Sequence, residues 1–400
     1  MQYVYFAIIL GFLLSASYFL YYYYVLGKNK QNITWIKSPV KKSLSLIVAS
    51  YNEEDTINKK ISNLMELDYD KNLMEFVFID SGSTDKTPEI ITNFIANNKD
   101  LKTVFIRENE RKGKSHALNI AYPRASGEIK IISDSDAILK KDAISQIVQN
   151  FSDPKVGAAC GKQILLNIGQ SNVTQLEKKY RDFYEVLREG ESKIDSNPIF
   201  HGELSAYRSE LIDVLPENKS ADDSRLANLI RFKGFRSVYD SEALFYEYAP
   251  TKWASRITQK VRRAQGLIRL FWDLRSGLFR NDLNGYGRII LPFEFCMHCI
   301  FPSLWILTLG VFFVGLFFFN IYLFALSLVL LAAVLLATKV KSGNSIISGI
   351  NSGANLFLTF FSSQVILFYA LLLWLSGRSL HKWKKVDDVR KEFKQNPAGS

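Results

Sequence analysis

The apolar residues of this 400-residue chain are concentrated near its two ends, and this distribution limits what the chain can form. Residues 4–26 are long enough to cross a lipid bilayer as one helix, and residues 289–375 have room for about three further crossings. The sequence between these regions is charged and of mixed composition. We therefore expect a folded domain held at a membrane by one N-terminal and about three C-terminal transmembrane helices.

Basic residues next to the first apolar segment predict its orientation. Five lysines lie between residues 28 and 42, shortly after four consecutive tyrosines at 21–24. Lysine and arginine favour the cytoplasmic side of membranes, and tyrosine favours the interface. The segment lacks the positively charged start and the cleavage site of a signal peptide, which is the alternative interpretation. We expect an integral protein of the cell membrane with a cytoplasmic central domain.

The formal net charge of +11 raises the question of whether the chain binds nucleic acid or a lipid surface. The basic residues gather beside the apolar segments, at 256–288 and 378–394. This placement favours contact with the headgroups of membrane lipid and argues against a nucleic-acid partner. Residues 253–274 also have the amphipathic pattern of helices that lie on a membrane surface.

The chain is predicted to have five parts. They are a transmembrane anchor, a cytoplasmic α/β domain, amphipathic interface helices, C-terminal transmembrane helices and a basic tail, at 1–27, 28–250, 251–288, 289–377 and 378–400. The C-terminal crossings are expected at 291–318, 321–337 and 356–375. Four crossings in total would leave the basic tail outside, against the usual charge bias. Either the tail is an exception, or one C-terminal segment is re-entrant or interfacial.

The central domain alternates short apolar runs with helical patterns. The predicted strands lie at 44–49, 75–79, 102–106, 128–133, 156–162 and 236–239. Helices are expected at 55–67, from residues 87 and 115, and at 141–151 and 174–194. This alternation favours a mostly parallel sheet with right-handed crossovers, in which ligands bind at the carboxyl ends of the strands.

Polar residues follow four of these strands where each ends. They are Tyr51, Asn52 and Glu53 after the first strand, Asp80 after the second, Lys114 in the loop after the third, and Asp134 with Asp136 after the fourth. Carboxylates one residue apart supply the hard oxygen ligands that Mg²⁺ or Mn²⁺ prefers. We expect a cation and a diphosphate here, although two acids in an ordinary surface turn would look the same.

A nucleotide diphosphate would find further complementary groups in the sequence. Lys114 and Arg262 could meet the phosphates, and the carboxylate of Asp80 could accept a hydrogen bond from the base. Displacement at a sugar's anomeric carbon also needs a base for the acceptor hydroxyl, and Asp223 is the candidate. The alternative for Asp222 and Asp223 is a helix N-terminus, where acids are favoured by the dipole.

Four ordered blocks resemble the GT-A domain of family 2 inverting glycosyltransferases. They are ASYNEE at 49–54, IDSGSTD at 79–85, GKSHALN at 113–119 and DSD at 134–136. The resemblance continues to the acids at 222–223 and to QKVRR at 259–263, in the place of the Gln-x-x-Arg-Trp motif of membrane-embedded processive synthases. That group makes cellulose, hyaluronan, chitin and poly-N-acetylglucosamine.

The resemblance implies a Rossmann-like α/β domain and a set of site residues. It places Asp223 as the base beside Asp222, and Asp134 and Asp136 as metal ligands. The implied nucleotide-sugar-binding residues are Tyr51, Asn52, Glu53, Asp80, Lys114, Asp134, Gln259, Arg262 and Arg263. Arg263 departs from the pattern because the family has tryptophan there. An arginine can still stack on a sugar or meet a phosphate, but the change puts long-chain processivity in doubt.

Three functions are compatible with these features. The first is metal-assisted, inverting transfer of a sugar from a nucleotide sugar, expected to be a UDP-sugar, to a growing glycan or lipid-linked acceptor. The second is a single transfer to a polyprenyl or dolichyl phosphate, whose ionised oxygen needs no base. The third is a non-enzymatic sensor or scaffolding partner of another synthase. The few predicted spans would give a narrow channel for a long polymer, unless the chain forms a homo-oligomer or joins a partner subunit.

Overall fold

The structure is a computed structural model that describes residues 1–217, 219–337, 345–378 and 389. The predicted basic tail, 378–400, therefore lies outside the described residues except at two positions. Within the described part, the chain forms an α/β domain, one N-terminal helix and a group of C-terminal helices. This is the predicted architecture.

The described part of the central domain contains one eight-stranded sheet with the order β3-β2-β1-β4-β7-β6-β8-β5. The strands are β1 (Leu44–Ser50), β2 (Met74–Asp80), β3 (Lys102–Arg107), β4 (Ile129–Ile132), β5 (Ile138–Leu139), β6 (Val156–Leu165), β7 (Ser205–Arg208) and β8 (Arg236–Glu247). Strands β1 to β4 form one parallel block, and β6 and β8 form a second. Strand β7 joins the two blocks by antiparallel pairing with β4 and β6. The prediction of a mostly parallel sheet is confirmed.

Helices cover both faces of this sheet. They are α2 (Ile57–Met65), α3 (Thr87–Asn97), α4 (Lys114–Ala121), α5 (Ala143–Gln149), α6 (Asn172–Ile194) and α7 (Asp222–Phe232). Along β2, Phe76 and Phe78 enter one hydrophobic core, and Val77 and Ile79 enter the core on the opposite face. All four side chains are fully buried. Strand β2 is therefore apolar throughout because helices exclude water from both of its faces.

The register of the parallel block brings the carboxyl ends of its strands to one edge. Ser50 at the end of β1 pairs with Asp80 at the end of β2, and Asp80 pairs with Arg107 at the end of β3. On the other side of β1, Ile47 pairs with Ile132, the last residue of β4. The polar residues that follow these strands are consequently neighbours in space.

The six predicted strands are all present, but β5 and β7 were missed. Strand β5 has only two residues, which is too short for a periodic pattern. Strand β7 has the sequence Ser-Ala-Tyr-Arg and lies between β4 and β6. Its small and polar residues give no apolar run, and its place in the sheet follows from long-range pairing alone.

The remaining helices include the candidate membrane spans. They are α1 (Gln2–Asn29), α8 (Trp253–Asp273), α9 (Leu291–Phe295), α10 (Phe301–Phe319), α11 (Ile321–Ala337) and α12 (Ser345–Leu375). In the described residues, three helical segments are long and apolar enough to cross a membrane: Gln2–Asn29, Tyr286–Phe319 and Gly353–Leu375. The second is continuous through α9 and α10 and contains π-helical turns at Tyr286–Ile290 and Cys296–Ile300.

The described part of the C-terminal region therefore contains two candidate spans, whereas about three were predicted. The predicted crossing at 321–337 forms α11, whose 17 residues extend about 25 Å against a hydrocarbon core of about 30 Å. If only the three longer segments cross, the central domain and Arg378 lie on the same side of the membrane. This arrangement removes the conflict with the charge bias of cytoplasmic segments.

The N-terminal helix α1 packs directly against α6 of the α/β domain. A Cβ atom built on Gly190 of α6 would lie 2.4 Å from Val25 Cγ1 and 2.5 Å from the carbonyl oxygen of Val25 in α1. Nearby, the Tyr21 hydroxyl donates a hydrogen bond of 2.7 Å to Glu191 Oε1. The ring of Tyr21 also stacks on Phe293, with centroids 3.6 Å apart. Helix α1 is thus fitted closely to both the α/β domain and the C-terminal helices.

We expect the substitution Gly190→Ala to weaken this packing, because the new methyl group collides with the backbone of α1. The expected loss is about 1–3 kcal/mol in the free energy of unfolding, typical of overpacking. Gly27→Ala is the matched control, because nothing lies within 4 Å of its added Cβ. Unfolding of the detergent-solubilised variants measures the difference. Equal stability of the two variants would contradict the close approach.

Candidate active site

A cavity of about 260 Å³ lies at the carboxyl edge of the parallel strands. Its walls come from the ends of β1 and β4, the start of α4, residues 199–203, the start of α7 and helix α8. The predicted site residues that line it are Tyr51, Glu53, Lys114, Asp134, Asp136, Asp222, Asp223, Gln259, Arg262 and Arg263. Residues separated by more than 200 positions in sequence therefore meet in one space.

The acidic pair lies in the turn that follows β4. Asp134 Oδ1 accepts a hydrogen bond of 2.6 Å from Lys114 Nζ. Burial raises the pKa of Asp136 to about 7, and the negative charges of Asp134 and Glu203 add to this effect. The turn thus concentrates carboxylates that are costly to ionise together, and a bound cation would relieve their repulsion.

These residues fit a divalent cation that also binds a diphosphate. In the described part of the chain, no group of three or more His, Cys, Asp or Glu side chains is arranged to hold a metal ion. A Mg²⁺ ion that is bound together with a phosphate-containing substrate needs only one or two protein carboxylates, because phosphate oxygens and water complete its coordination. Asp134 and Asp136 would be the protein ligands in such a site.

Lys114 links the two acidic parts of the cavity. It begins α4, directly after Gly113, whose φ of 116° is open to glycine but strained for other residues. Its Nζ lies 3.9 Å from Asp222 Oδ2, in addition to its contact with Asp134. Burial would lower the pKa of Lys114, but the neighbouring Asp134 and Asp222 raise it above its usual value. Lys114 is therefore positively charged at neutral pH.

Asp222 and Asp223 occupy the first turn of α7, as the helix N-terminus interpretation predicts, and the role of Asp223 as a base remains a prediction. Asp223 faces the same centre as Lys114: a Cβ on Gly202 would lie 2.9 Å from Lys114 Nζ and 3.6 Å from Asp223 Oδ2. Burial raises the pKa of Asp223 to about 7, and the charge of Asp222 contributes while Lys114 opposes. A carboxylate of this basicity can accept a proton near neutral pH.

Helix α8 supplies three cavity residues from the QKVRR segment, Gln259, Arg262 and Arg263. Burial and the neighbouring Arg263 lower the pKa of Arg262 to about 10, which leaves it cationic at neutral pH. Arg263 Nη2 lies 3.7 Å from Glu203 Oε1. Arg263 therefore places a positive charge, paired with a carboxylate, where the family pattern has an aromatic ring.

Two predicted binding residues do not line this cavity. Asp80 is fully buried, and its carboxylate accepts hydrogen bonds from the backbone amide and the hydroxyl of Ser83. Asn52 Oδ1 accepts a hydrogen bond of 2.8 Å from the amide of Thr84. Both residues order the loops after β1 and β2. Recognition of the base by Asp80 remains a prediction.

The cavity also contains polar residues to which the sequence analysis assigned no role. The main ones are Arg188, His201, Glu203 and Glu247. Burial and the charge of Arg188 lower the pKa of His201 well below its usual value, so its imidazole is neutral. The polar stretch around His201 and Glu203 was visible in the sequence, but no spacing rule connects it to the acids at 134 and 136.

Comparison with known families identifies the class of protein that this fold and site define. The sequence model of glycosyl transferase family 2 matches residues 45–215, and that of glycosyl transferase family group 2 matches residues 131–376. The second match covers more than half of the chain, which therefore belongs to this group of family 2 glycosyl transferases. The family resemblance predicted from the motifs is confirmed.

Individual relatives show what the chain is similar to within this family. It is 26% identical over 271 residues to a poly-β-1,6-N-acetyl-D-glucosamine synthase of Staphylococcus aureus strain MSSA476, over 67% of this chain and 64% of the relative. A synthase of the same name from Staphylococcus epidermidis is 27% identical over 264 residues, which cover 64% of this chain and 63% of the relative. The matches thus span just under two thirds of these synthases.

A solved structure resembles nearly the whole chain. It is a mannosyltransferase from Pyrobaculum calidifontis in complex with GDP-Man and Mn²⁺, with 28% sequence identity and a TM-score of 0.74. The match covers 94% of this chain and 100% of the mannosyltransferase. The α/β domain described above is accordingly a GT-A fold.

Proposed function

We propose that this chain transfers a sugar, with inversion, from a nucleotide sugar to a glycan or lipid-linked acceptor at the cytoplasmic face of the membrane. The observation that carries the proposal is the meeting of two acidic pairs around Lys114 in one cavity. One pair suits a cation and a diphosphate, and the other contains a carboxylate of raised pKa. The five lysines between residues 28 and 42 support the cytoplasmic location.

On the donor side, Asp134 and Asp136 would hold Mg²⁺ or Mn²⁺, and Lys114 and Arg262 would contact the diphosphate. A divalent cation there supplies charge stabilisation for the leaving diphosphate. The mannosyltransferase relative, whose structure contains GDP-Man and Mn²⁺, supports this assignment. A UDP-sugar is instead the donor expected from the resemblance of the sequence motifs. The transfer assay should therefore include both GDP-sugars and UDP-sugars.

On the acceptor side, Asp223 would act as the general base. The acceptor oxygen attacks the anomeric carbon from the face opposite the diphosphate, and the bond from this carbon to the diphosphate oxygen breaks. The acceptor's proton passes to the Asp223 carboxylate. A pKa of about 7 suits this role, because the group is substantially ionised near neutral pH yet basic enough to accept the proton.

One observation favours a second candidate, a single transfer to a polyprenyl phosphate. Arg263 lines the cavity where the family's tryptophan borders the acceptor, and its guanidinium could bind an acceptor phosphate. Glu203 and Glu247 raise the pKa of Arg263 against the effect of burial, so the side chain is cationic. In this reaction the acceptor is already ionised, and Asp223 would contribute little.

Incubation of the purified protein with radiolabelled UDP- and GDP-sugars, Mg²⁺ or Mn²⁺ and a membrane lipid extract tests the function. We expect transfer that stops when the cation is chelated with EDTA. A ladder of water-soluble products would identify polymer synthesis, and a single-sugar product extractable into organic solvent would identify the lipid-phosphate reaction. Tight nucleotide binding without any transfer would contradict both and support a sensor.

The substitution Asp223→Asn tests the base. We expect transfer to fall about 10²–10⁴-fold, because an amide cannot accept the acceptor's proton, while nucleotide binding stays close to that of the unmodified protein. Calorimetric binding of UDP or GDP in the presence of Mn²⁺ provides the control. Loss of nucleotide binding in this variant would remove Asp223 from the role of base.

The pH dependence of transfer gives an independent test of the same group. Below pH 7 Asp223 is increasingly protonated, so we expect the rate at saturating donor and cation to rise with pH and to level off above about 7. In Asp222→Asn, the loss of a neighbouring negative charge lowers the pKa of Asp223, so the rise in rate should occur at lower pH. A rise at the same pH as in the unmodified protein would assign the titration to another group, such as Asp136.

A further inference from the structure

A buried lysine lies behind the turn that carries Asp134 and Asp136. Lys60 belongs to α2, and its side chain is 0% exposed. Its ammonium donates hydrogen bonds of 2.6 Å to Ser133 Oγ and 2.8 Å to the carbonyl oxygen of Ala137. These acceptors directly precede and follow the acidic turn. Lys60 therefore holds the turn at both of its ends.

The hydrogen bonds of Lys60 belong to a wider network. The hydroxyl of Ser133 accepts from Lys60 and donates to the carbonyl oxygen of Glu203 at 2.8 Å. The amide of Ser133 donates to the carbonyl oxygen of Ile47 in β1 at 3.0 Å. Through Ser133, the ammonium thus connects α2 and the acidic turn with the cavity segment that contains Glu203.

The charge of Lys60 is as unusual as its position. An ammonium is seldom fully buried, because it loses its hydration, unless nearby anions compensate. Burial lowers the pKa of Lys60 to about 7, while Asp134 and Asp136 act in the opposite direction. The lysine and a divalent cation would therefore act on the same two carboxylates, and each would weaken the attraction of the other.

We propose that Lys60 is a positioning residue for the cation-binding turn: its ammonium, bonded to Ser133 and Ala137, holds Asp134 and Asp136 in place and competes with the cation for their negative charge. This inference rests on the proposed role of the two aspartates as cation ligands. A lysine that only stabilises the core would behave differently. Loss of such a lysine would weaken cation binding or leave it unchanged, whereas loss of Lys60 should strengthen cation binding.

The test measures Mn²⁺ binding directly, by the electron paramagnetic resonance signal of free Mn²⁺ in titrations of the purified full chain with UDP or GDP. In Lys60→Met at pH 6, where the lysine of the unmodified protein is mostly protonated, we expect Mn²⁺ to bind about tenfold more tightly, because this competing positive charge is gone. We expect turnover at saturating Mn²⁺ to fall about tenfold or more, because the turn loses its two hydrogen bonds. Tighter binding with slower turnover is the signature of the proposal.

Lys130→Met is the matched control. Lys130 is also buried, and its ammonium donates a 2.7 Å hydrogen bond to a carbonyl oxygen, that of Tyr122, but it does not contact the acidic turn. We expect this variant to bind Mn²⁺ like the unmodified protein. If Lys60→Met does not fold, Lys60→Gln replaces it, because glutamine removes the charge, keeps a donor and should also tighten Mn²⁺ binding.

Two results would overturn the inference. The first is Mn²⁺ binding in Lys60→Met that equals the Lys130→Met control, and the second is binding that weakens together with turnover and thermal stability. Asp136→Asn separates these results from a failure of the cation site itself. If Asp136→Asn binds Mn²⁺ like the unmodified protein, the proposed site is wrong and the inference falls with it. If Asp136→Asn loses binding while Lys60→Met is unchanged, only the role of Lys60 is wrong.

Discussion

Repulsion among carboxylates in one partly buried cavity is the constraint on which the site depends. Asp134 and Asp136 approach from β4, and Asp222 and Asp223 approach from α7. Lys114 lies between the two pairs, 2.6 Å from one and 3.9 Å from the other. Such a concentration of negative charge would destabilise a folded domain without compensating cations. Under the proposed function, this negative charge would favour a divalent cation, which would bind the diphosphate together with Lys114 and Arg262.

The placement of this cavity beside the candidate membrane spans follows from helix packing. Helix α6 packs against the N-terminal helix α1 at Gly190, where the absence of a side chain allows the two backbones to approach closely. Helix α8 contributes Arg262 and Arg263 to the cavity and packs against α12 through a small hydrophobic cluster. The donor site and the candidate membrane spans are therefore joined by continuous packing.

Much of the site was predictable because the parallel strands impose a simple geometry. Each strand of the first block ends at the same edge, so the polar residues after it are neighbours whatever the intervening helices contain. The burial of Asp80 and Lys60 could not be predicted in this way. Asp80 follows a strand but is enclosed by Ser83, and Lys60 lies on a helix with no motif to single it out. Both outcomes depend on side-chain packing, which sequence spacing does not determine.

The sequence by itself determined the alternation of strands and helices, the apolar ends and the order of the acidic and basic motifs. These features are local: they depend on periodicity, on segment length and on residue type. Only the tertiary structure decided that β7 inserts between β4 and β6, and that Asp223 and Asp134 both lie near Lys114. Those results depend on contacts between residues that are distant in sequence, and local sequence patterns do not determine such contacts.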